Sequence, residues 1–441
     1  VKQILVLGAG MSASYLIKYL LDEAPRKLWV VTVADASEAL AQSKCNGHSH
    51  SRPIAFDIEH KEQREAEIRK ADLVISLLPP TLHIKAASDC VRLGKHLITA
   101  SYISPQMAKL HKRALKADVL LLNECGLDPG IDHLSAMKMM DDLRNQGAVI
   151  NGFRSYCGGL VAPEFDNNPW HYKFTWNPKN VVLAGQSAAK FKQGGIYKYV
   201  PPTRIFAEFE TLNLGKYGTY DAYLNRDSLG YIKPYGLETA DTVLRGTLRG
   251  VGYCEAWDVI ATLGLTDDTY MVEHEENLSW KLFTESFLPA GVSLLDFVKT
   301  SSGKGDYKEI YKKLEWLGLM SDRLLPELKG SPAQLLQHLL MEQWKLGEAD
   351  LDMIIMHHII DYSLHGKRKQ LTSTLQVKGE SKIYTAMAKT VGLPMGIAAS
   401  LLLDGKIKAR GVHIPLTAEF YEPMLIELAK FGINFDELET V

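Results

Sequence analysis

The sequence predicts an α/β protein: a doubly wound parallel sheet, then a second α/β part interrupted by an all-helical insertion. Three observations carry this. A buried-strand pattern at residues 2–8 runs into a glycine turn and an amphipathic helix. Strand and helix patterns alternate from there to residue 124. Beyond residue 250 the periodicity becomes helical for roughly one hundred residues.

The opening KQILVLG has the length and branching of a buried parallel strand. It leads directly into Gly8-Ala9-Gly10-Met11-Ser12-Ala13, a G-x-G-x-x-A, and then a helical repeat of apolar residues. Strand, glycine turn and helix in that order are the context of a Rossmann dinucleotide site. Gly8 permits the tight turn, Gly10 lets backbone approach a pyrophosphate, and Ala13 allows close helix–strand packing. The helix start offers unpaired N–H groups to phosphate. Trp29–Val33 reads as the second strand, with Asp35 at its tip, roughly twenty residues beyond the glycines, where a carboxylate accepts from an adenosine ribose. A 2′-phosphate there would meet a like charge, and the next basic residue, Lys44, lies well downstream. NAD is therefore expected, with NADP the alternative. Asp35 as a mere cap for the following ASEALAQ helix stays open.

Asp72–Pro80, Lys95–Tyr102 and Asp118–Glu124 read as further strands, separated by helical stretches at His83–Leu93 and Pro105–Lys116. Ligands of such sheets bind outside the carboxyl ends of the strands. That selects Leu78, Ala100, Ser101 and Tyr102, and the turn Gly126-Leu127-Asp128-Pro129. Of these, Leu78, Ala100, Ser101, Leu127 and Pro129 join residues 8–13 and Asp35 as expected cofactor contacts.

Composition excludes several classes. The chain has 441 residues, 50 Lys+Arg against 52 Asp+Glu, and 46% hydrophobic residues. A balanced charge without a basic block argues against a nucleic-acid or anionic-membrane surface. The apolar stretch Thr390–Leu403 is short and interrupted by Pro394, so no membrane span is expected. No basic segment with a small-residue cleavage site opens the sequence. Cys45, Cys90, Cys125, Cys157 and Cys254 are scattered and form no CxxC, which predicts free thiols and a cytoplasmic location. His48-Ser49-His50 and His357-His358 lack ligand-spaced partners, so no metal is expected.

Together these residues resemble the saccharopine dehydrogenase family of the glutamate-forming type, also called saccharopine reductase. The motifs are GAGMSA (8–13), VISLLP (74–79), TASYISP (99–105), GLDPGIDH (126–133), SYCGGL (155–160), APE (162–164), NPWHYKFTW (168–176), NRDS (225–228), LRGTLR (244–249) and MAKTVGLP (387–394). They span essentially the whole chain. Val161 and Leu224 replace residues that are usually Pro in the family, and neither changes a polar group. NADP-using members carry an Arg just past the second strand, where this chain has Asp35-Ala36-Ser37.

The resemblance implies oxidation of saccharopine, a secondary amine, followed by hydrolysis to glutamate and 2-aminoadipate 6-semialdehyde, or the reverse reduction. Saccharopine has three carboxylates, so fixed positive donors are needed. Arg226 and Arg249 are the expected grips, in turn-rich polar stretches, since guanidinium pairs bidentately with carboxylate. Thr247 and the Leu248 backbone accompany Arg249, while Arg245 is equally well a structural ion-pair residue. Ser101, Tyr102 and Asp128 are placed to touch both substrate and nicotinamide. Asp128 is the first choice for orienting the amine and stabilising charge on nitrogen, with Tyr102 second. Cys157 reads as a small polar contact, and His133 as either titratable or a helix-start histidine satisfied by backbone.

Three parts are expected: a dinucleotide-binding domain at 1–125 plus 385–441, an α/β substrate-binding domain at 126–240 plus 350–384, and a helical domain at 241–349. Residues 149–216 are expected to supply short aromatic-rich strands, including HYKFTW and Arg204–Ala207. Residues 381–403 should form a helix broken near Pro394. A homo-oligomer, a dimer, is expected. The competing readings are a lysine dehydrogenase or polyamine synthase of the same superfamily, and a non-catalytic NAD-binding regulator.

Overall fold

The computed structural model describes residues 1–225, 227–273, 278–303, 305–326 and 329–440. It divides into two compact units, one of Val1–Val149 with Leu375–Asp436, the other of Ile150–Thr374 with the chain from Glu437 on. The strands of the first hundred and twenty residues are β1 (Lys2–Leu7), β2 (Trp29–Asp35), β3 (Ser51–Ala55), β4 (Leu73–Ser76), β5 (His96–Thr99) and β6 (Leu120–Leu122). Then follow β7 (Val149–Val161), β8 (Ala189–Gln193), β9 (Ile196–Val200), β10 (Phe209–Asn213), β11 (Thr219–Leu224) and β12 (Thr242–Gly250). The last are β13 (Asp352–Leu364), β14 (Lys367–Lys378), β15 (Gly411–His413) and β16 (Phe435–Thr440).

In the first unit the order is β15-β6-β5-β4-β1-β2-β3, all parallel. The chain leaves β1 in both directions, to β2 on one side and β4 on the other. That is the switch point of a doubly wound sheet, and the predicted Rossmann fold is present. β3 carries no sequence prediction, because Arg52 and Pro53 disguise it. A proline is tolerated there because the strand is at the edge. The single helix expected over Pro105–Lys116 is two short ones, Pro105–Ala108 and His111–Lys116.

The helix expected to break at Pro394 runs unbroken from Ala386 to Leu403. Tertiary packing overrides the local preference, as almost every residue of it is buried. Gly392 and Gly396 let it approach the helix Ser14–Lys27 closely. A Cβ at these positions would stand 2.7 Å from Leu16 N and 2.5 Å from Tyr19 Cδ1. Its 18 residues have the length and hydropathy of a membrane-crossing segment, a longer apolar stretch than expected, yet 78% of that window is buried inside the protein.

The second sheet has the order β10-β11-β12-β7-β13-β14-β16, with the β8–β9 hairpin against β12. The expected domain boundaries differ from those observed. Residues 126–149 cluster with the first unit, including the helix Ile131–Asn145. Residues 242–250 form a central strand instead of opening a helical domain. The helices that follow are no separate domain either. Tyr156, Leu244 and Leu248 of the sheet share one hydrophobic cluster with Trp257, Leu314 and Leu336 of the helices. HYKFTW is irregular chain, since its rings plug that cluster: Tyr172 lies 5.1 Å from Trp344, and the preceding Trp170 5.4 Å from it. Pro202–Arg204 is a 3-10 turn.

Candidate active site

At the end of β1, Gly8 has φ +101°, and a Cβ would sit 3.2 Å from Leu77 O just past β4. Only glycine accepts that conformation without strain. Gly10 faces open space. Neither the turn Met11–Ala13 nor the helix Ser14–Lys27 has a side-chain cap, which leaves the helix start to an anion. Asp35 is tied to this turn. Its Oδ2 accepts the Ala9 N–H at 2.8 Å and its Oδ1 accepts the Ser37 N–H at 2.9 Å. The following helix, Glu38–Cys45, is capped by Ser37, so Asp35 is not the cap. Lys44 is distant in sequence but folds back, its Nζ donating to Ser14 Oγ at 2.6 Å, and burial lowers its pKa. An open glycine, an uncapped helix start and a carboxylate at the tip of β2 fit a dinucleotide.

The neighbouring strand ends converge. Gly126 lies so close to Ala100 that a Cβ would stand 2.8 Å from Ala100 Cβ. Glu124 N donates to Ser101 O at 3.1 Å, and Cys125 N to Thr99 O at 3.1 Å. The turn carrying Leu127, Asp128 and Pro129, with a cis Asp128–Pro129 bond, closes through Gly126 N to Pro129 O at 3.0 Å. From Val119 to Met137 every residue is buried except Asp128, which is half-exposed. A carboxylate is thus the one side chain of this segment presented to solvent. Tyr102 and Leu78 are also half-buried. His133 is satisfied by a carboxylate and not by backbone alone: its Nε2 meets Glu124 Oε2 at 2.8 Å.

In the second unit, Cys157 and Thr247 are register partners on the parallel strands β7 and β12. Asn225 Nδ2 donates to Thr247 Oγ1 at 2.7 Å. Leu248, between Thr247 and Arg249 in the chain, is fully buried. Arg249 is not in a polar turn, as expected, but on β12, and is only 4% exposed. Its guanidinium carbon stands 5.0, 5.5 and 5.9 Å from the rings of Tyr172, Tyr253 and Tyr223. Nη1 donates to Leu248 O at 3.0 Å, while Nε is buried without a hydrogen-bond partner. A buried guanidinium with an unmade bond is unfavourable until an anion meets it. Arg245 stacks over Tyr231 at 4.5 Å. Arg226 lies outside the described residues. His357 Nδ1 pairs with Thr374 Oγ1 at 2.8 Å.

Sequence reasoning missed the tyrosine cage, Asn225, and the polar residues Ser76, His83 and Thr99 that gather around Ser101. The signal for the cluster was a histidine on an otherwise apolar helix face beside two strand-end hydroxyls.

Two family descriptions match the chain: "Saccharopine dehydrogenase NADP binding domain" over residues 4–122 and "Saccharopine dehydrogenase C-terminal domain" over residues 126–433. Among curated proteins, the saccharopine dehydrogenase [NADP(+), L-glutamate-forming] of Schizosaccharomyces pombe is 36% identical over 98% of each chain. The Saccharomyces cerevisiae protein of the same name is 33% identical over 99% of each. The chain belongs to the saccharopine dehydrogenase family. Among solved structures, the apo saccharopine dehydrogenase (L-Glu forming) of Saccharomyces cerevisiae superposes with a TM-score of 0.90 at 32% identity, covering 100% of both chains. A homospermidine synthase from Legionella pneumophila reaches 0.59 at 10% identity, which is likeness of fold alone. As a saccharopine dehydrogenase family member, the chain is an oxidoreductase built around a nicotinamide dinucleotide. Its glycine turn and β2 tip lie within the first matched segment, and Cys157, Thr247 and Arg249 within the second.

Proposed function

We propose that this chain converts L-saccharopine to L-glutamate and L-2-aminoadipate 6-semialdehyde, or runs the same step as a reduction. The observation that carries the reading is Arg249, a buried guanidinium with an unpartnered Nε beside Thr247 and Cys157. A substrate with three carboxylates supplies the missing acceptor. The full-length relatives named for this reaction support it. When bound, the nicotinamide supplies the hydride acceptor. Asp128 holds the amine and stabilises positive charge on its nitrogen, and Tyr102 and Ser101 orient the reacting carbon.

The relatives' names and the family description support NADP as the cofactor. Asp35 favours NAD as a second reading, because its carboxylate occupies the β2 tip where a 2′-phosphate would be repelled. A cytoplasmic homodimer is the accompanying proposal. Five buried, free cysteines support a reducing compartment.

The test is nicotinamide absorbance with saccharopine plus NADP or NAD, against lysine as control. Signal with saccharopine is expected. Signal with lysine alone would assign the chain to lysine dehydrogenase chemistry.

A further inference from the structure

Behind the loop at residues 99–103, the buried residues Ser76, His83 and Thr99 have no part in the chemistry described so far. His83 opens the helix His83–Leu93 and is 4% exposed. Its Nδ1 meets Ser76 Oγ at 2.8 Å, at the end of β4. Its Nε2 meets Ser101 Oγ at 2.8 Å and Thr99 Oγ1 at 3.2 Å, at the end of β5. One ring thus joins two adjacent strand ends to the loop that carries Ser101 and Tyr102. On the far side of Tyr102, Ile103 N donates to Glu124 Oε1 at 3.0 Å, and Glu124 Oε2 is held by His133. Tyr102 is therefore suspended between two buried anchors.

We propose that His83 is a positioning residue of the active site, a neutral strut that fixes Ser101, and through it Tyr102, relative to the ends of β4 and β5. Two observations separate a strut from a proton relay. Ser76 is fully buried, so protons passed along the ring would reach no solvent. Burial also pushes the His83 pKa down to about 4, so the ring stays neutral at physiological pH, with one nitrogen donating and the other accepting. The apolar helix face gains nothing from an imidazole there. Three hydroxyls converging on it give the ring its one use, which is to hold the loop.

The inference rests on the saccharopine reading only for its turnover assay. His83→Gln places an amide where Nε2 stands and keeps the Ser101 bond. His83→Asn places it near Nδ1 and keeps only the Ser76 bond, and His83→Leu keeps neither. Small displacements of an orienting group cost turnover heavily, so kcat should fall about 100-fold in the Asn and Leu variants and stay within about threefold in Gln. Nicotinamide binding, read by cofactor fluorescence, should change far less than kcat in every variant. A residue that only stabilised the fold would make Asn and Gln alike, and that result overturns the proposal. Should the wild type fail to turn over saccharopine, the substrate reading falls and amide exchange over residues 99–103 decides instead. Faster exchange in Asn and Leu than in Gln supports the strut, and equal exchange in all three overturns it.

Discussion

Asp35 Oδ2 accepts the amide of Ala9 at 2.8 Å, so the carboxylate at the tip of β2 and the glycine turn after β1 form one rigid corner. Replacing Asp35 by Ala loosens the turn and removes the charge that opposes a 2′-phosphate. Paired with Ser37→Arg, it should raise the kcat/KM ratio of NADP over NAD by about tenfold or more, since one charge-assisted contact is worth about 1.5–3 kcal/mol. An unmoved ratio would mean that the corner does not read the ribose.

Asp128 is the only half-exposed residue in a buried stretch of nineteen, and its charge is expected to act on the substrate nitrogen. Asp128→Asn should cost about 100-fold or more in kcat while leaving nicotinamide affinity nearly unchanged. Steady-state kinetics beside fluorescence titration separates the two. Parallel losses would place Asp128 with the cofactor.

Arg249 makes an unusual stability prediction. Arg249→Met removes a buried cation that lacks a full set of partners and keeps much of the volume among Tyr172, Tyr223 and Tyr253. Urea unfolding should show stability unchanged or higher. The KM for saccharopine should rise about tenfold or more as a charge-assisted pair is lost. A destabilised variant with normal KM would make Arg249 a structural cation.

The close helix crossing gives a fourth handle. Gly392→Ala gains about 1 kcal/mol of helix propensity, but its Cβ meets the backbone nitrogen of Leu16 at 2.7 Å, where overpacking costs about 1–3 kcal/mol. Backbone cannot step aside as a flexible side chain can, so the clash wins and the thermal midpoint should fall.

His83 links acidity to stability. Its pKa drops from an ordinary 6.5 to about 4 on folding, so the unfolded chain binds more protons between those values. The contribution is full above pH 6.5 and is lost as pH falls through 4. Going from about pH 7 to about pH 4, the wild type should lose up to about 3 kcal/mol more unfolding free energy than His83→Gln. Urea titrations at several pH values measure it.

Elements whose signal is local were readable from sequence. The apolar run into Gly8 and Gly10 yields β1 and its turn, because periodicity and glycine geometry act over a few residues. The alternating pattern likewise places Ser101, Tyr102 and Asp128 just beyond the ends of β5 and β6. What escaped depends on distant partners. β3 hides behind Arg52 and Pro53, and only its place at the sheet edge makes that composition acceptable. Pro394 signals a break that burial against Leu16 and Tyr19 cancels. Arg249 reads as a loop residue until three tyrosines far apart in sequence are seen around it. His83 looks like an ordinary helix residue because its hydroxyl partners come from two other strands.

The first sheet is completed at the β6 side by β15, and the helix Ala386–Leu403 lies across the one that begins at Ser14. A growing polypeptide on the ribosome therefore makes the glycine turn long before the covering helix that starts at Ala386 and the edge strand that starts at Gly411. Most of the second unit, Ile150–Thr374, lies between these two instalments, and its edge strand β16 follows them. A stall in elongation before residue 386 would leave a half-built nucleotide fold with apolar surface showing.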